Sequence, residues 1–183
     1  MKKHARQLIT SNIVYLLEHY HFEEITIKML CAECGINRST FYAHFKDKYE
    51  TYEEIKRFHM MNYETLMDNI ERSIIDNPDD RRKYVKQYFT NVFYYIAKHQ
   101  RFFTSVFVTH PERELIISFI SLLKTRFAKL IHSLGTLEEV NYFLDYTVGG
   151  QIASIYSWLK NGCEETPEKM ADIMYRNIIK INR

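Results

Sequence analysis

From Thr26 to Lys48 the chain reads Thr-Ile-Lys-Met-Leu-Cys-Ala-Glu-Cys-Gly-Ile-Asn-Arg-Ser-Thr-Phe-Tyr-Ala-His-Phe-Lys-Asp-Lys, and no other stretch constrains the fold as tightly. Thr26 is placed to cap a helix whose apolar positions Ile27, Leu30, Cys31 and Cys34 share one side, and Gly35 supplies the positive φ that ends it. Asn37 then caps a second helix. On it Phe41 and Phe45, four residues apart, point inward, while Arg38, Ser39, Tyr42, Ala43 and Lys46 fall on another face. Two short helices hinged at a glycine, the second with a polar outer face, form the pattern of a helix-turn-helix that enters a DNA groove.

Five Gly and three Pro in 183 residues favour long helices with short joins, and all three prolines fall at element boundaries. With 46% hydrophobic and 26% charged residues the chain has the composition of a globular protein, long enough for a small DNA-reading domain plus one larger core. Net charge is only +2, and residues 1 to 60 carry nine Lys/Arg against eight Asp/Glu, so bulk charge does not argue for nucleic acid. Placement does. Lys2, Lys3, Arg6, Lys28, Arg38, Lys46 and Lys48 are able to gather on one side, with Glu18, Glu23, Glu24 and Glu33 elsewhere. No apolar run approaches the roughly 20 residues needed to cross a bilayer. The Met-Lys-Lys start is not followed by the apolar core of a signal peptide, which predicts no membrane partner and a cytoplasmic protein. Three cysteines suit a reducing compartment.

Periodicity predicts an all-α chain of about nine helices with no strand-like alternation. The first runs from about Lys3 to Tyr20, with Leu8, Ile9, Ile13, Leu16, Leu17 and Tyr20 on one stripe. After the helix-turn-helix, Asp47 and Glu50 form a capping box for a long fourth helix bearing Tyr52, Ile55, Leu66, Ile70 and Ile74. A break at 75–80 precedes a fifth helix from about Asp80 to Lys98, and a sixth covers roughly Arg101 to Thr109. Pro111 sits in the first turn of a seventh that runs to about Ser133 and stops at Gly135. Thr136 with Glu139 makes a capping box for an eighth, continuing to about Lys160. Thr166 and Pro167 open the last, whose apolar face is Met170, Ile173, Met174, Ile178 and Ile181.

The helix-turn-helix resembles that of the TetR/AcrR family of bacterial transcriptional regulators. Thr26, Ile27, Leu30, Gly35, Ile36, Thr40, Tyr42, Phe45 and Lys48 match the family pattern with no insertion, Asn37 replaces the usual Ser cap, and Phe41 is a usual alternative to Leu. Cys31 and Cys34 stand where the family has Ala, and Thr51 where Leu is common. The resemblance implies a helix-turn-helix DNA-binding domain over 1–47 and a helical effector-binding and dimerisation domain over 48–183. It implies a homodimeric, ligand-responsive regulator, a repressor, whose recognition helices enter successive major grooves of a palindromic double-stranded operator. An activator or a regulator with no inducer is a further reading within the family, and an all-α protein-binding scaffold is the reading outside it. Carried over by position, Arg38, Ser39 and Thr40 lie nearest the base edges. Thr26, Tyr42, His44 and Lys48 hold phosphates, and Lys46 is a further phosphate contact.

The resemblance also places the last two helices in a dimer interface, with Gly150, Ile155, Met174 and Ile178 as its candidates. Helix eight agrees, being apolar or aromatic around most of its circumference. Gly149 and Gly150 inside it cost about 1 kcal/mol each relative to Ala, which a close approach to a partner helix or a ligand would offset; a local kink is the alternative. A small hydrophobic or aromatic effector is the expected ligand, and His59, Tyr63, Phe89, Phe93, Phe107, Phe119 and Tyr146 are the expected lining of its pocket.

Cys31 and Cys34 have the spacing of half a zinc site or a redox dithiol. No second pair completes four ligands, so they read as small buried hydrophobes, with no metal and no cofactor expected; a thiol sensor or a metal site is the alternative. No Gly-rich phosphate loop, nucleophile elbow or His-Glu-x-x-His pair is present, and no enzyme activity is expected.

Overall fold

A computed structural model describes residues 2–134 and 139–181, with side chains for 5–134 and 139–178. The described residues form α1 (Lys2–Leu16), α2 (Ile27–Cys34), α3 (Arg38–Tyr42), α4 (Lys48–Asp76), α5 (Arg81–Lys98), α6 (Gln100–Thr104), α7 (Arg113–Leu134), α8 (Val140–Lys160) and α9 (Pro167–Ile181), with no strand among them. Two compact units result. One is the chain through Met61 with Arg101–Glu112; the other is Asn62–Gln100 with the chain from Arg113 onward. The first unit contains the whole 1–47 segment and also the opening half of α4.

In the first unit α1 packs on α2 and α2 on α3, burying Ile9, Ile13 and Leu16 of α1, Leu30 and Cys31 of α2 and Phe41 and Phe45 at α3. Burial of each such side chain contributes about 1.5–3 kcal/mol. The caps form as the residue types predict. Thr26 Oγ1 accepts from Met29 N at 3.2 Å, and Asn37 Oδ1 accepts from Thr40 N at 2.8 Å. Gly35, at φ 63°, lets Ile36 N reach Cys31 O at 2.9 Å and closes α2. Asp47 Oδ1 accepts from Glu50 N at 2.8 Å, while the Glu50 carboxylate accepts from Lys46 N at 2.6 Å, one residue before the cap, so the start of α4 is capped by a variant of the expected box.

In the second unit α5 packs along α9 and α7 along α8. Tyr88, Phe89, Val92, Phe93 and Ile96 of α5 are buried, and Phe93 meets the Trp158 ring edge-on at 5.1 Å. Trp158 Nε1 donates to Glu165 O at 2.9 Å, so the chain turns back toward α9 with the indole N–H satisfied. Lys86 pairs with Asp172 at 2.8 Å, and Arg126 bridges Asp68 and Glu71.

Several expected boundaries move. α1 stops at Leu16 and passes into turns in which Glu18 N donates to Tyr15 O at 3.2 Å and His19 N to Leu16 O at 3.0 Å; Tyr20, expected on the apolar stripe, is exposed. The sixth element is α6 followed by a π-helical turn, Ser105–Thr109, closed by His110 N donating to Ser105 O at 2.8 Å. Pro111 lies in the connection before α7, not in its first turn. α8 begins at Val140 after Glu139, whose φ is 53°; the expected stop at Gly135 and cap at Thr136 lie outside the described residues.

Since nothing lies within 4 Å of a Cβ built on Gly35, Ala there meets only backbone strain. Gly35→Ala is expected to cost about 1 kcal/mol of stability in urea unfolding.

Candidate nucleic-acid interface and cavity

α3 presents its outer face as the spacing predicts. Phe41 and Phe45 are fully buried, while Arg38, Ser39, Tyr42 and Lys46 are exposed, Tyr42 at 55%. Asn37 organises the start of this helix: its Oδ1 accepts from Ser39 Oγ at 2.7 Å and Thr40 Oγ1 at 2.9 Å as well as from Thr40 N. Both hydroxyl protons are thereby spent, and each hydroxyl oxygen turns acceptor lone pairs outward. Arg38 and Tyr42 flank them with donors. Thr26 is exposed with its oxygen engaged in capping, and His44 is half-buried with its carbonyl accepting from Arg6.

Two of the cations expected on this face are turned into the protein instead. Arg6 donates from Nε to Glu54 Oε1 at 2.9 Å and from Nη1 to His44 O at 2.8 Å, pairs again with Glu54 through Nη2, and lies over the Phe45 ring at 4.3 Å. It ties α1, the end of α3 and α4 together. Lys48 Nζ donates to Phe22 O at 2.9 Å and Glu23 O at 2.8 Å, over the Phe22 ring. Two of its three protons hold the turn before α2, and one remains for a phosphate. Lys28, Arg38 and Lys46 are exposed; the side chains of Lys2 and Lys3 lie outside the described residues.

Cys31 is buried and Cys34 half-buried. Burial pushes the Cys34 thiol up to about 11, and its Sγ lies 3.9 Å from Leu8 O. At neutral pH it is a thiol, not the thiolate that metal binding or redox exchange needs. No group of three or more His, Cys, Asp or Glu is arranged to hold a metal among the described residues. No described helix is long and apolar enough to cross a membrane.

The second unit holds a cavity of about 390 Å³ between α4, α5, α7, α8 and α9. Of the side chains expected to line a pocket, only Phe89 does so. Tyr63 and Phe119 pack against each other in the core of that unit, Phe93 is taken by Trp158, and Tyr146 is 69% exposed. His59 and Phe107 belong to the first unit, where the His59 ring is 3% exposed and stacks on Phe102 at 4.0 Å. Aromatic richness marked a core, because helical spacing buries a ring without saying whether a void lies beside it. Arg81, Tyr88, Phe127 and Phe143, which do line the cavity, carry no sequence signal that separates them from core or surface positions.

The interface candidates also separate. Within the single chain Ile155 and Met174 are buried and Ile178 lines the cavity. Gly150 is exposed, and neither it nor Gly149 has anything within 4 Å of a built Cβ. They share the outer face of α8 with Tyr142, Tyr146 and Ala153.

Sequence reading missed one further pair. The His21 and His110 rings lie 4.0 Å apart, joining the turn before α2 to the π-turn beside a small cleft that Glu23, Tyr52, Ser105 and Glu112 also line. Both ring nitrogens of His110 are buried without a hydrogen-bond partner. Burial first, then His21, holds the His110 imidazole below its ordinary value, with Glu24 opposing.

Two family descriptions match the sequence: bacterial regulatory proteins of the tetR family over residues 9–55, and a transcriptional regulator C-terminal region, TetR_C_8, over residues 83–180. A search of curated protein sequences returns no match. Among solved structures, a putative fatty acid metabolism regulator of Clostridium perfringens superposes with a TM-score of 0.73 at 17% identity, covering 94% of this chain and 97% of that one. The fatty acid degradation regulator FadR of Bacillus halodurans gives 0.68 at 12% identity, covering 94% and 93%. The dihydroxyacetone kinase operon activator DhaS gives 0.63 at 15%, covering 96% and 94%. At these identities the likeness is one of fold.

Because the native His110 resists protonation while the unfolded one accepts it near 6.5, the pair contributes stability above pH 6.5 that is lost as pH falls below it. Urea unfolding between pH 7.5 and 5 is expected to show this slope, and His110→Phe is expected to flatten it; an equal slope in the variant would assign the pH dependence elsewhere.

Proposed function

The chain belongs to the TetR family and is a DNA-binding transcriptional regulator, and from that premise we propose that it is a homodimeric repressor that reads a palindromic operator and responds to a small effector. The observation that carries the proposal is the α3 face, a capped helix with its two phenylalanines buried and Arg38, Ser39 and Tyr42 presented outward. Arg38 is our candidate for bidentate recognition of a guanine edge, and the outward lone pairs of Ser39 and Thr40 suit the amino groups of cytosine or adenine. Thr26, Tyr42, His44, Lys46 and the third proton of Lys48 are assigned to phosphates, which fix register without reading sequence.

For dimerisation, the outer face of α8 supports the reading. Neither Gly149 nor Gly150 is required by contacts within the chain, and a second helix crossing at that point would use the space their missing side chains leave. Two recognition helices held this way would meet half-sites about 34–36 Å apart. The division into a DNA-reading domain, 1–47, and an effector-binding and dimerisation domain, 48–183, follows from these assignments. The second unit's cavity is the candidate effector site, and α4, whose residues run through both units, is the candidate coupling element. The protein acts without enzymatic chemistry, in the cytoplasm. Activation in place of repression is the second reading, favoured by the fold shared with the operon activator DhaS.

Selection of bound duplexes from random DNA tests the reading. An inverted repeat bound by two chains per duplex is expected. Arg38→Ala is expected to cost about 1–3 kcal/mol and relax preference at one base pair per half-site, whereas Tyr42→Phe weakens all sequences alike. Enrichment of no site, or of a single half-site bound by one chain, would overturn it.

A further inference from the structure

The cavity of the second unit has a wall chemistry that narrows its ligand. Eleven of its fourteen lining side chains are aliphatic or phenyl groups. Two of the three polar ones are engaged within the protein: Tyr88 shares its hydroxyl with that of Tyr63 at 2.8 Å, and Thr147 Oγ1 donates to Phe143 O at 2.7 Å. The third is Arg81, the first residue of α5. It is exposed, and its guanidinium has no hydrogen-bond or ion-pair partner among the described residues, Asp79 and Asp80 just before it included.

A polar group buried among these walls would go unpaired, at a cost that disfavours sugars, nucleotides and other polyols in the interior. A wholly apolar ligand would leave the unused donor set of the described lining, the Arg81 guanidinium, without a role. At about 390 Å³ the cavity lies near the small end of the range of roughly 300–1,000 Å³ typical of ligand sites. It has room for one acyl chain and not for a two-chain lipid.

We infer that the cavity takes an amphipathic anion, a single apolar chain with one acidic group, with the chain among Ile70, Phe127, Leu130 and Phe143 and the acidic group against the Arg81 guanidinium at the rim. Arginine presents a planar fork of donors that matches a carboxylate or phosphate. The same chemistry comes from two sources: a free carboxylic acid, or an acyl thioester whose carrier bears phosphates. The site deepens the effector reading, on which its regulatory consequence rests, but its binding chemistry stands without it.

The test is calorimetric titration of the full chain with decanoate, 1-decanol and decanoyl-coenzyme A. Decanoate or the thioester is expected to bind at one molecule per chain, more tightly than the alcohol. Arg81→Gln, a surface change, is expected to weaken the anionic ligand about fivefold and leave 1-decanol unchanged, with Arg81→Lys retaining most of the affinity. Ile131→Trp, which fills the cavity, is expected to abolish binding of all three, its melting curve reporting that it is folded. Preference for decanoate assigns the free acid and preference for the thioester assigns the carrier phosphates; each supports the inference when it depends on Arg81. Equal affinity of the anionic ligand for wild type and Arg81→Gln would overturn it, as would binding by neither anion. Arg81-dependent binding that leaves operator affinity unchanged would remove the effector reading and leave the site.

Discussion

A five-residue helix does not stand alone in water, since nucleation costs more than its few backbone bonds return. Everything proposed for α3 therefore depends on Phe41 and Phe45, which are buried in the core of the first unit and together contribute about 3–6 kcal/mol. Asn37 fixes where the helix starts and Gly35 fixes the angle at which the chain enters it. The outward face is a consequence: once the two rings point in, Arg38, Ser39 and Tyr42 have nowhere else to go.

The cations show the same economy. Arg6 and Lys48 read in the sequence as surface charges, yet both are absorbed by the scaffold. Arg6 joins α1, the end of α3 and α4 through Glu54 and the His44 carbonyl, and Lys48 ties the start of α4 to the turn that launches α2. Their charge still contributes to the potential over the face, but their geometry serves to hold α3 steady against the rest of the unit. A groove-reading helix must be rigid to discriminate base pairs, so stiffening it is a functional use of these residues.

The local elements were legible because their signals are local. A capping Thr26 or Asn37, a glycine at positive φ and two phenylalanines four apart each act over one turn, and the structure forms them as spelled. What depended on packing across distant residues was not legible. His59, Tyr63, Phe93, Phe107 and Phe119 have the same helical spacing whether they line a void or fill it, and they fill it. Of the expected lining only Phe89 meets the cavity; its other described walls are aliphatic and aromatic positions such as Phe127 and Phe143 that read as ordinary core, and Arg81, unpaired among the described residues, looks like any other residue at a helix start. Ile155 and Met174 fit an apolar stripe that proves to face inward, while the exposed glycines carry the part of the α8 pattern that the chain's own packing does not use. The His21–His110 contact joins residues far apart in sequence, and nothing at either position announces the other.

The dependence of the DNA-reading face on the buried rings is open to direct measurement. The amides of Phe41, Ala43, His44 and Phe45 bond to carbonyls of the same turn, from Asn37 O to Phe41 O, and report on the existence of α3. Hydrogen exchange at these amides is to be compared between wild type and Phe45→Ala in the full chain, alongside operator affinity. The account predicts that their protection and sequence-specific binding are lost together while the amides of α5 and α9 stay protected. Operator affinity that survives with those four amides exchanging freely would contradict it.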